Sequence, residues 1–253
     1  MNRLDQLAQW PASSTSSTQT VIESGRYTPA GDSQQALFAP LHYERNYAYP
    51  LIVWLHGPQD DERQLKRIMP LISMRNYVAV GPRGTQPAAK ADGARAGAAG
   101  FGWSQSEEQI ALAEQRVQEA IAFARQRYNV APNRVFIAGF ACGGTMAFRV
   151  ALNCPQLAAG VLSLGGEFPR GFMPLRNLSQ LRQLKVFLAT ARDSKLYPEH
   201  TVCENLRLLY TTGMAVNLRQ YPCGDELTTL MLADMDRWIM EQVAAPVEAA
   251  SGR

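Results

Sequence analysis

The stretch VFIAGFACGGTMAF, residues 135–148, constrains this chain more than any other. An apolar run, Val135-Phe136-Ile137-Ala138, enters Gly139-Phe140-Ala141-Cys142-Gly143-Gly144, and apolar residues at helical spacing follow to about Asn153. A strand that feeds a helix through so short a link must turn sharply. Gly139, Gly143 and Gly144 leave room for that turn. The layout matches G-x-S-x-G, the turn that presents a nucleophilic serine, with Ala141 where the serine would stand. The sequence therefore predicts the support for a nucleophile without the nucleophile.

The flanking pattern repeats the same alternation of strand and helix. Leu51-Ile52-Val53-Trp54-Leu55 is a continuous apolar run, as expected of a strand buried on both faces, and His56-Gly57-Pro58 ends it. Asp60-Asp61-Glu62 reads as the acidic first turn of a helix carrying Leu65, Ile68, Met69, Leu71 and Ile72. Residues 77–80 form the next strand, and 84–100, rich in Ala and Gly, a flexible surface loop. Ser104-x-x-Glu107 and Ser106-x-x-Gln109 both fit a capping box ahead of a helix that runs to about Tyr128. Ala131-Pro132-Asn133 punctuates before the Val135 strand. Further strands are expected at 160–164, 186–189 and 216–220, with helices from Pro198 to about Thr212 and from Leu227 to about Val243. Such alternation predicts an α/β fold with a mostly parallel sheet wrapped by helices on both faces. We expect a polar lead-in over 1–19, one domain over 20–243 that opens with an antiparallel edge hairpin in 20–42, and a small polar tail over 244–253.

Composition narrows the function classes. A net charge of +3 is too small to argue for nucleic acid or an anionic membrane surface. No apolar run approaches the ~18 residues of a membrane span, and no secretory signal is visible at the N-terminus, so a cytoplasmic location is expected. Cys142, Cys154, Cys203 and Cys223 form no C-x-x-C pair; reduced thiols, with no metal and no cofactor, are the simplest reading.

Several stretches taken in order resemble one family. Leu55-His56-Gly57, Gly81-Pro82-Arg83-Gly84, Gly100-Phe101-Gly102-Trp103, the run from Asn133 to Ala147, and Tyr221-Pro222-Cys223-Gly224 are similar to the motifs of the phospholipase/carboxylesterase family of small α/β-hydrolases, which includes the acyl-protein thioesterases. The resemblance spans about 51–241 and implies an α/β-hydrolase fold. It also assigns positions: the nucleophile at Ala141, the acid at Ser194 (preceded by Asp193), the base at Asp225, and oxyanion donors at the backbone of Pro58 and Cys142. His56, Gly57, Trp103, Asp193 and Cys223 become candidates to line the pocket.

Those assignments depart from the family's chemistry in four places. Alanine cannot attack a carbonyl. Proline has no N–H to donate. Serine at 194 is no acid, and an aspartate at 225, with an ordinary pKa of about 3.9, is a poor acceptor for a hydroxyl proton. The last histidine is His200, so no base follows in the family's order. The sequence thus predicts a non-catalytic member that serves as a binding protein for a small acyl-type ligand or a protein partner, or as a plain scaffold with the pocket collapsed.

The alternative is a hydrolase with rebuilt chemistry that uses Cys142 or the carboxylates Asp193 and Asp225. Against it, a one-residue slip along the turn would direct the Cys142 side chain away from the site, and no paired histidine is evident to ionise the thiol. A Cys142–Cys223 pair is a further possibility if the two loops converge, and two separate free thiols the plainer one. Asp193 reads equally as a solvated turn residue, and Trp103 as core. His56 in the L-H-G context is expected to hold loop geometry rather than act as a base. His42 and His200 are expected at the surface. Arg170, Arg176, Arg182 and Lys185 read as a solvated basic face.

Overall fold

A computed structural model describes residues 35–88, 100–171 and 178–245. Its main sheet takes strands β1 (Gln35–Phe38), β2 (Tyr49–Leu55), β3 (Val78–Pro82), β6 (Val130–Phe140), β7 (Gly160–Leu164), β8 (Lys185–Ala191) and β9 (Ala215–Tyr221). Their spatial order is β1-β3-β2-β6-β7-β8-β9. Every pairing is parallel except β1 with β3. A small antiparallel pair, β4 (Gln86–Pro87) with β5 (Phe101–Gly102), lies apart from this sheet.

The inner strands β2, β3, β6, β7 and β8 are largely buried because each carries apolar side chains on both faces. Leu51, Val53 and Leu55 point to one side, among Val117 and Ile121 of α2 (Glu107–Arg127), Met146 and Val150 of α3 (Cys142–Asn153), and Val202 and Leu209 of α5 (Glu199–Thr212). Ile52 and Trp54 point to the other, among Leu65, Ile68 and Met69 of α1 (Gln64–Ile72) and Met231, Met235, Trp238 and Ile239 of α6 (Thr229–Ala244). A short α4 (Leu178–Leu181) lies between β7 and β8. From β2 the chain moves outward to β3, then crosses to β6 on the other flank of β2. The order therefore reverses between β2 and β6, and a crevice at the carboxyl ends of strands there is the usual ligand position in open parallel sheets.

Local details differ from the sequence pattern for tertiary reasons. The acids at 60–62 do not start a helix. They precede α1, whose first turn holds no acid, because Asp60 pairs with Arg67, Asp61 with Arg63 and Glu62 with Arg83. Ser106 occupies the N-cap of α2 without a side-chain cap bond, so neither capping box forms. Pro132 does not break β6: the ladder with β2 steps from Tyr49↔Val130 to Leu51↔Val135 and skips it. Of the loop expected over 84–100, residues 86–87 form β4, which pairs with β5 just beyond it, and 89–99 lie outside the described residues. Of the expected edge hairpin, 35–38 pair with β3. Residues 20–34, the lead-in, Arg176 and the tail beyond 245 also lie outside them. No helix among the described residues is long and apolar enough to cross a membrane.

Candidate functional site

β6 passes into α3 through Ala141, whose backbone lies at φ 48° and ψ −118°. A residue with a Cβ seldom adopts this conformation, and holding it costs on the order of 1–3 kcal/mol. Packing imposes it. A Cβ on Gly139 would stand 2.4 Å from the Gly143 backbone, and a Cβ on Gly143 would stand 2.2 Å from the Leu55 carbonyl oxygen. Two backbone hydrogen bonds pin the turn: the Ala141 N–H donates to Leu164 O (2.8 Å), and the Thr145 N–H to Ala141 O (3.1 Å). The sharp turn expected from the glycines is therefore built, and the side chain it presents is a methyl group.

The loop after β2 is tightly held beside it. The Gly84 N–H donates to His56 Nε2 at 2.8 Å, so Nε2 is the unprotonated nitrogen and Nδ1–H donates to Gly57 O, also at 2.8 Å. The ring is fully buried, and burial lowers its pKa below the ordinary value. His56 thus joins the loop to residues 83–84, and the Trp103 indole N–H donates to the His56 carbonyl (3.0 Å). The Gly57 N–H is taken by Gln64 Oε1 (3.2 Å), which also accepts from Trp54 Nε1 (2.7 Å). Pro58, exposed, has no N–H.

The positions expected for acid and base lie beyond β8 and β9, and the structure brings them together. Ser194 Oγ donates to Asp225 Oδ1 at 2.5 Å. Asp225 also accepts the backbone N–H groups of Lys195 (3.1 Å) and Leu196 (3.3 Å), while Ser194 Oγ accepts the Tyr197 N–H (2.8 Å). The Ser194 hydroxyl is the main cause that holds the Asp225 carboxyl below its ordinary value. Its oxygens therefore cap a turn of their own. Asp193 is exposed and faces Arg192 at 3.4 Å, as a solvated turn residue would.

A cleft of about 390 Å³ opens at the elbow. Ala141, Cys142 and Trp103 line it, with Thr145, Arg149 and Leu196 among residues that the sequence did not single out. His56, Gly57, Asp193 and Cys223 do not line it. His56 is turned into the loop beneath, Gly57 is covered by the Phe140 ring, Asp193 is held at the surface by Arg192, and Cys223 packs on the sheet face away from Cys142. The two cysteines are separate free thiols. Burial pushes the Cys142 thiol up. No group of three or more metal-ligating side chains occurs among the described residues.

Arg149 had a visible signal: it is the one charged residue in the apolar run of α3. It is 5% exposed, and its guanidinium donates to the carbonyls of Arg170 and Gly171 (both 2.7 Å) and to Gln105 Oε1 (3.1 Å). It thereby fixes the 165–171 wall of the cleft. Leu196 had no such signal, because the Asp225 bonds place it.

Comparison with known proteins agrees with this fold. A family model described as phospholipase/carboxylesterase matches residues 41–241. A carboxylesterase from Mesorhizobium loti superposes with a TM-score of 0.69 at 17% identity, covering 86% of this chain and 99% of that one. The Bacillus cereus carboxylesterase gives 0.65 at 16%, covering 84% and 96%. Arabidopsis thaliana SOBER1 gives 0.63 at 18%, covering 78% and 100%. No curated protein matches the chain. The shared architecture is the α/β-hydrolase fold.

Proposed function

The chain belongs to the phospholipase/carboxylesterase family, and we propose that this member is a binding protein without the family's serine–histidine–acid turnover. The observation that carries the reading is Ala141: the turn holds its strained conformation, yet offers no oxygen to attack a carbonyl. Removing a triad serine or histidine alone costs roughly 10⁶ in turnover in a well-studied protease.

Other features support it. Ser194 and Asp225 are bonded to each other, and Asp225 to the backbone of Lys195 and Leu196, rather than facing the cleft as a base and its orienting acid. One oxyanion donor is absent at Pro58 and its neighbour's N–H is taken by Gln64; losing such a donor costs ~10²–10³ where it has been tested. The cleft beside Ala141, with an apolar wall at Trp103 and Leu196 and polar groups at Thr145 and Gln105, suits a small acyl-type ligand or an inserted side chain of a protein partner.

The rival reading, rebuilt hydrolysis, draws on Cys142, which does line the cleft. Its thiol is held protonated by burial rather than activated, and no histidine adjoins it.

Pure protein incubated with short-chain p-nitrophenyl esters and thioesters is expected to give no turnover above background. Turnover abolished by Cys142→Ala or Asp225→Ala would overturn the reading. The triple change Ala141→Ser, Ser194→Asp, Asp225→His is expected to stay inactive, because Pro58 leaves the oxyanion hole half-formed. Restored turnover there would show that Pro58 does not stand at the donor position.

A further inference from the structure

Three charged side chains line the cleft at the elbow: Arg149, Glu167 and Arg170. Opposite charges in one cleft would ordinarily pair, and these do not. Arg149 is buried and donates to the carbonyls of Arg170 and Gly171 and to Gln105. Arg170 is drawn to Glu204 at 2.8 Å. Glu167 is partly buried, and among the described residues its carboxylate forms no hydrogen bond or ion pair. Its backbone is nevertheless held on both sides. Before it, the Gly165 N–H donates to Ala189 O and Ser163 Oγ donates to Gly166 O, both at 2.8 Å. Gly166 lies so close to the elbow that a Cβ there would stand 2.4 Å from Ala141 O. After it, Phe168 is 1% exposed and packs edge-to-face on Phe148, with ring centroids 5.2 Å apart. Arg149 then fixes residues 170–171. The carboxylate is therefore set in place at the cleft without a partner.

We infer that the cleft takes a ligand with a cationic head on an apolar stem, such as a primary ammonium on an alkyl chain, with the head on Glu167 and the stem against Trp103 and Leu196. This rests on the reading of the cleft as a binding site and adds the charge of its occupant. An ammonium N–H donates to a carboxylate in a short, charge-assisted hydrogen bond. The Trp103 ring, which also lines the cleft, attracts a cation to its face. An anionic head would instead meet an unpaired carboxylate, while the guanidinium of Arg149 is turned to the carbonyls of the wall. Because the backbone around Glu167 is already fixed, binding orders no new segment of it. A lysine side chain of a protein partner and a free small amine share this chemistry.

Titration of the full chain with hexylammonium, hexanol and hexanoate, followed by amide chemical shifts, tests this. Hexylammonium is expected to shift the amides of Thr145, Gly166 and Glu167, and to bind about tenfold more tightly than hexanoate. Glu167→Gln keeps the shape of the side chain and removes its charge. It is expected to weaken hexylammonium about tenfold and to leave hexanol unchanged. Glu167→Lys is expected to reverse the order of hexylammonium and hexanoate. A capped Gly-Lys-Gly peptide separates the two sources: binding tighter than that of hexylammonium assigns the head to an inserted lysine, and weaker binding to a free amine. Hexanoate or hexanol bound as tightly as hexylammonium overturns the inference and leaves the binding reading in place. Hexylammonium binding that Glu167→Gln does not weaken also overturns it, as does a parent that none of the three compounds shifts. Failure of the non-catalytic reading shows separately, as ester turnover, which these titrations do not measure.

Discussion

The elbow at Ala141 and the corner formed by Ser194 and Asp225 stand at carboxyl ends of the same parallel sheet, yet they hold their shapes by different means. The elbow is strained and enclosed by backbone, and Gly139 and Gly143 fit it with no room for a Cβ. Nothing in that packing requires an oxygen at 141. The corner is exposed, and Asp225 holds it through three hydrogen bonds. A geometry imposed by packing persists whatever side chain it presents. An exposed turn keeps only the shape that its own polar groups make.

Methyl additions at the two regions give the largest contrast. A Cβ on Gly143 would meet the carbonyl oxygens of Leu55 and His56 at 2.2 and 2.4 Å, and neither backbone atom can withdraw. Gly143→Ala is expected to lose more than ~4 kcal/mol or to fail to fold. A Cβ on Gly224, in the corner, meets only the far end of the Glu226 side chain at 2.9 Å, which can swing away. Gly224→Ala should stay within ~0.5 kcal/mol of the parent. Urea unfolding measures both, and equal losses would break the distinction.

The pH dependence separates the regions next. Burial lowers the pKa of His56 from its ordinary 6.5 in the folded state. Below pH 6.5 the unfolded chain therefore takes up a proton that the folded chain refuses, and stability falls by about 1.4 kcal/mol per pH unit until the folded pKa is reached. Its contribution is fully present above 6.5. Urea midpoints between pH 7 and 5 should show this fall. A flat profile would mean that the ring is not enclosed as its bonds to Gly84 and Gly57 imply.

The same contrast explains what the sequence could and could not disclose. Strands such as 51–55 and 160–164 are legible because burial on both faces demands continuous apolar runs. The elbow is legible because its glycines are the only residues that its packing admits. The start of α1 was misleading: Asp60, Asp61 and Glu62 resemble a first helical turn, but their arginine partners decide where they sit. The membership of the cleft was only partly legible. Motif position alone does not show that the His56 ring turns inward to Gly84, or that three hydrogen bonds from a distant loop bring Leu196 to the wall.

Strain without function offers a smaller test of the elbow. Ala141→Gly removes the Cβ from a residue at positive φ. The relief of ~1–3 kcal/mol of strain is set against the extra unfolded-state entropy of glycine, roughly 0.4–1 kcal/mol. A net gain of about 1 kcal/mol is expected in thermal or urea unfolding. A net loss would mean that the alanine methyl makes a contact in the cleft that outweighs its strain.

The smallest effect belongs to the corner. The hydroxyl of Ser194 is the main reason that the Asp225 carboxyl titrates below its ordinary 3.8, so Ser194→Ala should raise that pKa back toward the ordinary value. Because the folded pKa is depressed, the stabilisation is present above about pH 4 and is lost as pH falls through the folded value. The carboxylate is solvated, so the substitution should cost less than ~1 kcal/mol. Carbon-13 NMR of the Asp225 carboxyl follows the titration directly. Amide resonances at Lys195 and Leu196 should shift with it, while that of Ala141 should not, because the elbow draws its shape from glycine packing and not from the corner. A shift at Ala141 comparable to that at Leu196 would show that the two regions are mechanically joined.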